Sequence, residues 1–238
     1  NKELFKKFFD YSLRYTCLFL LPATVYVAVF SEPITLLLFT AKYDKTALYA
    51  TLYAAYYLFF SIRSTVVLRT LMGQEKTVTV LKIQLVYALL MLPSAWLLTM
   101  LYGAVGLLAS MIASIAVSLA YADKQLEKNF GVSLSWGYAL RVVGASLACG
   151  ALALAIVQAA TLFASLSVLA KLAIATLCYV AFASVLFPLF KALSPSDLDN
   201  MEAAFSGIPL VGSLLNVAIC VERKVLGFLR TGTDVRDA

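Results

Sequence analysis

The sequence predicts an all-α, polytopic integral membrane protein, and two observations support that fold class. Of the 238 residues, 62% are hydrophobic and 13% are charged, and the mean hydropathy is +0.90, whereas soluble domains carry about 25% charged residues. Charge-free apolar runs of 17 to 40 residues also recur along the chain. Because a helix needs about 20 apolar residues to cross a bilayer, we expect a bundle of about six transmembrane helices.

The individual spans follow from these runs and from the residues that interrupt them. The run 83–122 contains 40 residues without a charge, which is too long for one crossing, and Tyr102-Gly103 near its middle predicts a turn. Pro33 has no backbone donor and predicts a break near the outer end of the first helix. A transmembrane bundle is therefore expected in residues 1–192, with spans at about 14–39, 46–70, 77–100, 104–122, 138–160 and 166–190.

The polar tail, residues 193–238, is expected to form interfacial amphipathic helices on the cytoplasmic surface. Its first part carries a narrow apolar stripe that ends at Gly207, and its second part, 210–229, mixes leucines with charged side chains. A seventh crossing by 208–221 is disfavoured because that stretch has only 14 residues and contains Asn216.

The distribution of Lys and Arg predicts the orientation in the cell membrane. Sixteen of the nineteen fall at the N-terminal end, in alternate connections or in the tail, and the positive-inside rule makes that side cytoplasmic, with both termini inside. The basic pI is thus a topology signal, and we expect no nucleic-acid partner. We expect no signal peptide in the first ten residues, which are charged and amphipathic. The chain starts at Asn1 rather than Met, so we expect it to be part of a longer protein.

The residue types needed for membrane-embedded catalysis are missing from the sequence. There is no His, which excludes histidine metal sites and catalytic dyads. Neither paired carboxylates nor a phosphate-binding glycine loop is present, and the four cysteines are scattered singly and expected to be buried. We therefore expect no enzyme, no metal and no cofactor. Glu32, near the outer surface, is open to two interpretations, an exposed residue at the helix break or a proton or cation site.

Cationic side chains near membrane depth are the strongest candidates for a binding role. Arg63 precedes Gly73, the expected helix end, by ten residues, about 15 Å along a helix, and a charge at that depth costs several kcal/mol unless it pairs or faces water. No acid at membrane depth is available to neutralise it, which favours an anionic partner. Arg14, Arg69 and Lys82 are further candidates, although Arg69 and Lys82 equally fit the positive-inside pattern.

Two side-chain stripes each have a packing and a functional interpretation. Tyr49, Tyr53, Tyr56 and Phe60 share one helix face, either as an aromatic belt that packs at the outer interface or as a stacking wall for a sugar. A second stripe of small residues is interpreted as a helix-packing face that holds no charged substrate; its members are Gly106, Ser110, Ser114 and Ser118.

Three stretches resemble the Wzx-like polysaccharide or oligosaccharide flippases of the multidrug/oligosaccharidyl-lipid/polysaccharide exporter superfamily. They are FLLPATVYVAVFSEPITLLLFTAKYDKTA (19–47), LRTLMGQEKT (68–77) and LYGAVGLLASMIAS (101–114). The final two spans and the tail are more weakly similar to archaeal members. Thr40 stands where the family often has Gly, which leaves the local turn open.

The resemblance implies two helical lobes around a cationic cavity, with this chain forming the later part of the C-terminal lobe and a missing N-terminal lobe completing it. Such proteins move phosphate- or pyrophosphate-linked oligosaccharides on a lipid carrier across the membrane by alternating access, in contact with membrane lipids. Arg63, Arg14, Arg69 and Lys82 would then bind the phosphate, and the tyrosine face the sugar. The alternatives are an ion-coupled multidrug exporter, a non-transporting membrane scaffold subunit and, third, a membrane glycosyltransferase.

Overall fold

A computed structural model describes residues 2–39, 45–163 and 166–193, and every regular element in these ranges is helical. Six helices are long and apolar enough to cross a membrane: Glu3–Val29, Thr46–Gly73, Thr77–Tyr102, Ala104–Phe130, Trp136–Leu162 and Val168–Leu189. The predicted all-α, polytopic membrane fold is therefore confirmed. The expected interfacial helices of the tail lie outside the described residues.

The first membrane helix is interrupted at Phe30. Helix α1 covers Lys2–Val29 and α2 covers Ser31–Phe39, so the break precedes Pro33 by three residues. Pro33 lies in the first turn of α2, where a missing N–H costs no helical hydrogen bond. The Ser31 hydroxyl is 2.8 Å from the Thr51 hydroxyl of the next helix. This contact ties the break to its neighbour.

The second membrane helix contains a π-helical segment in its middle. Helix α3 (Thr46–Ser61) continues into a π-helical segment (Ile62–Leu68) and then into α4 (Arg69–Gly73). A π-helix closes i→i+5 hydrogen bonds, and such segments are frequent at functional sites. Helix α1 packs against both α3 and the π segment, so the widened turn is enclosed on that side.

Helices α5 (Thr77–Tyr102) and α6 (Ala104–Phe130) form the hairpin that the 40-residue apolar run predicts. Gly103 separates them with a φ of +62°, a backbone conformation that residues with a Cβ rarely adopt. Helix α6 packs against both α5 and α3. The small-residue stripe of α6 is buried; a Cβ at Gly106 would overlap the backbone carbonyl of Leu98. The predicted packing role holds at that position.

Helices α7 (Trp136–Phe163) and α8 (Val168–Leu189) complete the described elements. The chain divides into two compact units at Ala139 and Leu140, and every predicted site residue belongs to the first. In the second unit, one face of α7 is fully buried and consists of small side chains, including Ala145, Ser146 and Cys149. The Ser146 hydroxyl donates to the Val142 carbonyl at 2.7 Å, which satisfies it within its own helix.

Asp123 connects the end of α6 to the start of α7. Its Oδ1 accepts from the Leu134 backbone N–H at 2.7 Å, and its Oδ2 accepts from the Trp136 indole N–H at 2.8 Å. Hydrogen bonds to a charged acceptor are stronger than neutral ones. One carboxylate therefore holds both the connection and the first residue of α7.

We expect Asp123→Ala to destabilise the protein by about 2 kcal/mol, because two N–H donors lose a charged acceptor. Thermal denaturation in detergent measures the effect. Glu127→Ala is the matched control, since Glu127 is an exposed acid one turn later on the same helix. Equal melting temperatures for the two variants would show that the Asp123 hydrogen bonds do not stabilise the fold.

Candidate anion-binding site

Arg63 lies inside the bundle rather than at its surface. The residue is 3% exposed and belongs to the π segment between α3 and α4. Its guanidinium carbon lies 4.8 Å from the centre of the Tyr87 ring on α5, within the range of a cation–π contact. Helices α1 and α6 also pack against the π segment. The structure therefore places this cation between helices and away from the surface of the bundle.

Two neutral side chains accept hydrogen bonds from one nitrogen of Arg63. Nη1 donates to Gln84 Oε1 at 3.3 Å and to Ser118 Oγ at 3.2 Å. The Ser118 hydroxyl in turn donates to the Ile83 carbonyl of α5 at 3.1 Å. Because its proton is used there, Ser118 presents a lone pair to the arginine. Residues of α5 and α6 thus position one edge of the guanidinium.

The positive charge of Arg63 has no compensating acid. Its Nε is buried without a hydrogen-bond partner, and across residues 2–39, 45–163 and 166–193 no carboxylate contacts the guanidinium. Guanidinium carries five N–H donors, and only Nη1 is hydrogen-bonded in this part of the chain. A buried charge without a counter-charge costs several kcal/mol. The arrangement is therefore suited to an oxyanion that supplies both the charge and the acceptors.

The other predicted cations lie elsewhere in the bundle. Arg14 is half-buried on α1, and its guanidinium carbon lies 5.4 Å from the centre of the Tyr138 ring. Arg69 and Lys82 are exposed, consistent with their positive-inside interpretation. The structure brings none of the three into contact with the Arg63 guanidinium. Among these four candidates, Arg63 alone occupies a buried polar cluster in the described part of the chain.

The aromatic face of α3 is divided between buried and exposed rings. Tyr56 is buried and its side chain lies close to those of Tyr87 and Arg63, so it belongs to the wall of the Arg63 site. Tyr53 is 48% exposed and stacks on Tyr56 with ring centres 5.7 Å apart. Tyr49 is half-buried. Tyr57, which is not part of the predicted helix face, is exposed, and its ring centre lies 5.5 Å from that of Tyr53.

Three residues of the cluster are missed by sequence reasoning: Gln84, Tyr87 and Ser118. The small-residue stripe, interpreted above as a packing face, also contributes to the cluster at Ser118, whose hydroxyl accepts a hydrogen bond from Arg63. Ser110, by contrast, bonds its own helix at the Leu107 carbonyl. A signal for Gln84 was present, since an amide within an apolar run of this length requires a polar partner.

The remaining candidates have simpler surroundings. Glu32 is exposed in the first turn of α2. Cys17 and Cys149 are buried and Cys178 is half-buried, while Cys220 lies outside the described residues. In the described ranges, no group of His, Cys, Asp or Glu side chains has the geometry of a metal site.

The fold and the site together define a polytopic helical membrane protein with an arginine buried in its bundle and not neutralised by any carboxylate of the described residues. Comparisons with protein-family models, with curated proteins and with solved structures found no match to this chain. The chemistry of the Arg63 site is therefore the basis on which a function can be assigned.

Proposed function

We propose that this chain is part of a flippase that moves lipid-linked oligosaccharides across the cell membrane by alternating access, for the synthesis of surface polysaccharide or another glycan. The observation that carries this proposal is Arg63, a cation that is 3% exposed, has an unpartnered Nε and contacts no carboxylate of the described chain. Its role is to hold the phosphate or pyrophosphate of the substrate. Arginine suits this role because its planar donors match phosphate oxygens.

Neighbouring residues support the same assignment. Tyr87 and Tyr56 place aromatic surface beside the guanidinium, which lowers the exposure of the charge to water. Tyr53 and Tyr57, which are exposed on the same helix as Arg63, offer ring faces to a sugar. In this proposal both termini are cytoplasmic, as the Lys and Arg distribution indicates, and a further lobe completes the cavity.

Two alternatives are favoured less by the same residues. An ion-coupled multidrug exporter for organic cations needs carboxylates in its cavity, and the Arg63 cluster of the described chain contains none. A scaffold subunit needs no buried, uncompensated charge, which costs stability without a benefit. Measurement of export separates these possibilities.

The test is Arg63→Ala in the full-length protein, with surface glycan export as the readout. We expect export to fall about ten- to hundredfold, because a charge-assisted contact contributes about 1.5–3 kcal/mol. Arg63→Lys keeps the charge but loses the planar donors, so partial activity is expected. Arg141→Ala, at an exposed position on α7, is the matched control. Normal export by a normally expressed Arg63→Ala protein would refute the proposed role.

A further inference from the structure

Gln84 is the exposed member of the Arg63 cluster. Ser118 and Tyr56 are buried and Tyr87 is half-buried, whereas Gln84 is exposed on α5. Among the described residues that contact the guanidinium, Gln84 is therefore the one that is exposed at the surface of α5. An anion that approaches Arg63 from this face of the helix meets Gln84 first.

The contact between Gln84 and Arg63 is weak compared with the contact that an anion would make. The distance from Nη1 to Oε1 is 3.3 Å and the acceptor is a neutral amide, whereas charge-assisted hydrogen bonds of arginine to an oxyanion are about 2.7–2.9 Å long and roughly twice as strong. An anionic oxygen would thus make the shorter and stronger hydrogen bond to Nη1.

The two acceptors on Nη1 differ in how firmly they are held. Ser118 is fully buried, and its hydroxyl is fixed by donating to the Ile83 carbonyl. The Gln84 side chain makes no second hydrogen bond within the described chain. Gln84 can therefore leave Nη1 by rotation about its side-chain bonds, while Ser118 keeps the guanidinium in place.

We propose that Gln84 is a gating residue, whose amide oxygen occupies on Arg63 Nη1 the place that a phosphate oxygen of the ligand takes. This inference rests on the proposed function of Arg63 and adds the device that closes the site when no ligand is present. The amide oxygen accepts a hydrogen bond from Nη1 and keeps weaker acceptors from binding there. A phosphate group opens the site because it competes with the amide for this donor. Binding of a phosphate oxygen in this place on Nη1 and the contact between Gln84 and Arg63 are thus mutually exclusive.

Two substitutions at Gln84 have opposite expected effects on binding. Gln84→Glu has nearly the same shape and places a carboxylate against Arg63, so an ion pair in a low-dielectric interior occupies the guanidinium permanently. Affinity for the ligand is expected to fall at least tenfold. Gln84→Ala removes the competing acceptor, and affinity is expected to equal that of the unmodified protein or to exceed it by up to tenfold.

The experiment uses the full-length protein in nanodiscs, with geranylgeranyl phosphate and inorganic phosphate as separate probes, and measures both dissociation constants. Gating is supported if Gln84→Ala binds a probe at least as tightly as the unmodified protein and both bind it much more tightly than Gln84→Glu does. The probe that shows this order identifies the ligand as a lipid phosphate or as free phosphate. Gln74→Glu adds the same charge at an exposed turn and is expected to bind like the unmodified protein.

The outcomes separate the gate from the function on which it rests. If Gln84→Glu binds both probes as tightly as the unmodified protein while Arg63→Ala does not bind, the gate is refuted and the role of Arg63 remains. If Arg63→Ala binds normally, both are refuted. A tenfold weaker Gln84→Ala protein also refutes the gate, because Gln84 would then be a ligand-binding residue. The melting temperature of Gln84→Glu shows whether this variant is folded. It is expected to rise because an ion pair forms.

Discussion

Arg63→Met is expected to produce a protein that is more thermostable than the unmodified chain and exports about ten- to hundredfold less glycan. The guanidinium is buried, has an unpartnered Nε and contacts no carboxylate of the described residues, so the folded state bears a desolvation cost that methionine removes. Replacing buried charges by apolar side chains of similar volume stabilises proteins by up to about 1–4 kcal/mol. At about 2–4 °C per kcal/mol, the melting temperature in detergent should rise by several degrees.

The opposite changes in stability and activity distinguish a binding residue from a structural one. A site built to bind a charged ligand destabilises the protein when it is empty. Removing its charged residue therefore raises stability and lowers activity. Arg141→Met, at an exposed position, should alter neither quantity by a comparable amount. A clear drop in the melting temperature of Arg63→Met would mean that Arg63 supports the fold through Tyr87, Gln84 and Ser118, and the scaffold alternative would gain support.

Gly106→Leu is expected to prevent α5 and α6 from packing as they do. Even a single Cβ at this position would overlap the carbonyl oxygen and carbon of Leu98, which are backbone atoms and cannot rotate away. Overpacking of a tight contact costs about 1–3 kcal/mol and more when backbone must move. We expect Gly106→Ala to lower the melting temperature markedly and Gly106→Leu to abolish recovery of folded protein, as measured by size-exclusion chromatography in detergent.

Gly144→Ala is the matched control for this effect. Gly144 is also inside a membrane helix, and nothing lies within 4 Å of a Cβ built there. Because Ala stabilises a helix by about 0.8–1 kcal/mol relative to Gly, this variant should be as stable as the unmodified protein or slightly more stable. Comparable losses at Gly106 and Gly144 would show that helix propensity or expression, and not the contact between α5 and α6, causes the defect.

Parts of the candidate site follow from position along a helix, and parts do not. The depth of Arg63 relative to Gly73 predicts a cation away from bulk water, because distance along a helix is set by its rise per residue. Its partners come from residues 21, 24 and 55 positions later in the chain. Such separations carry no local signal, since the same periodicity in α6 serves packing at Ser110 and arginine binding at Ser118.

The amino-acid sequence by itself determined the all-α membrane fold, its six long apolar helices and the hairpin turn at Gly103. The physical reason is that these features are local: the bilayer requires a minimum apolar length of each spanning segment, and glycine adopts a positive φ because it has no Cβ. Only the tertiary structure decided that Arg63 meets Gln84, Tyr87 and Ser118, and that Arg14 lies apart against Tyr138. Helix rotation and the choice of neighbours set those contacts, and both depend on packing between segments that are distant in the chain.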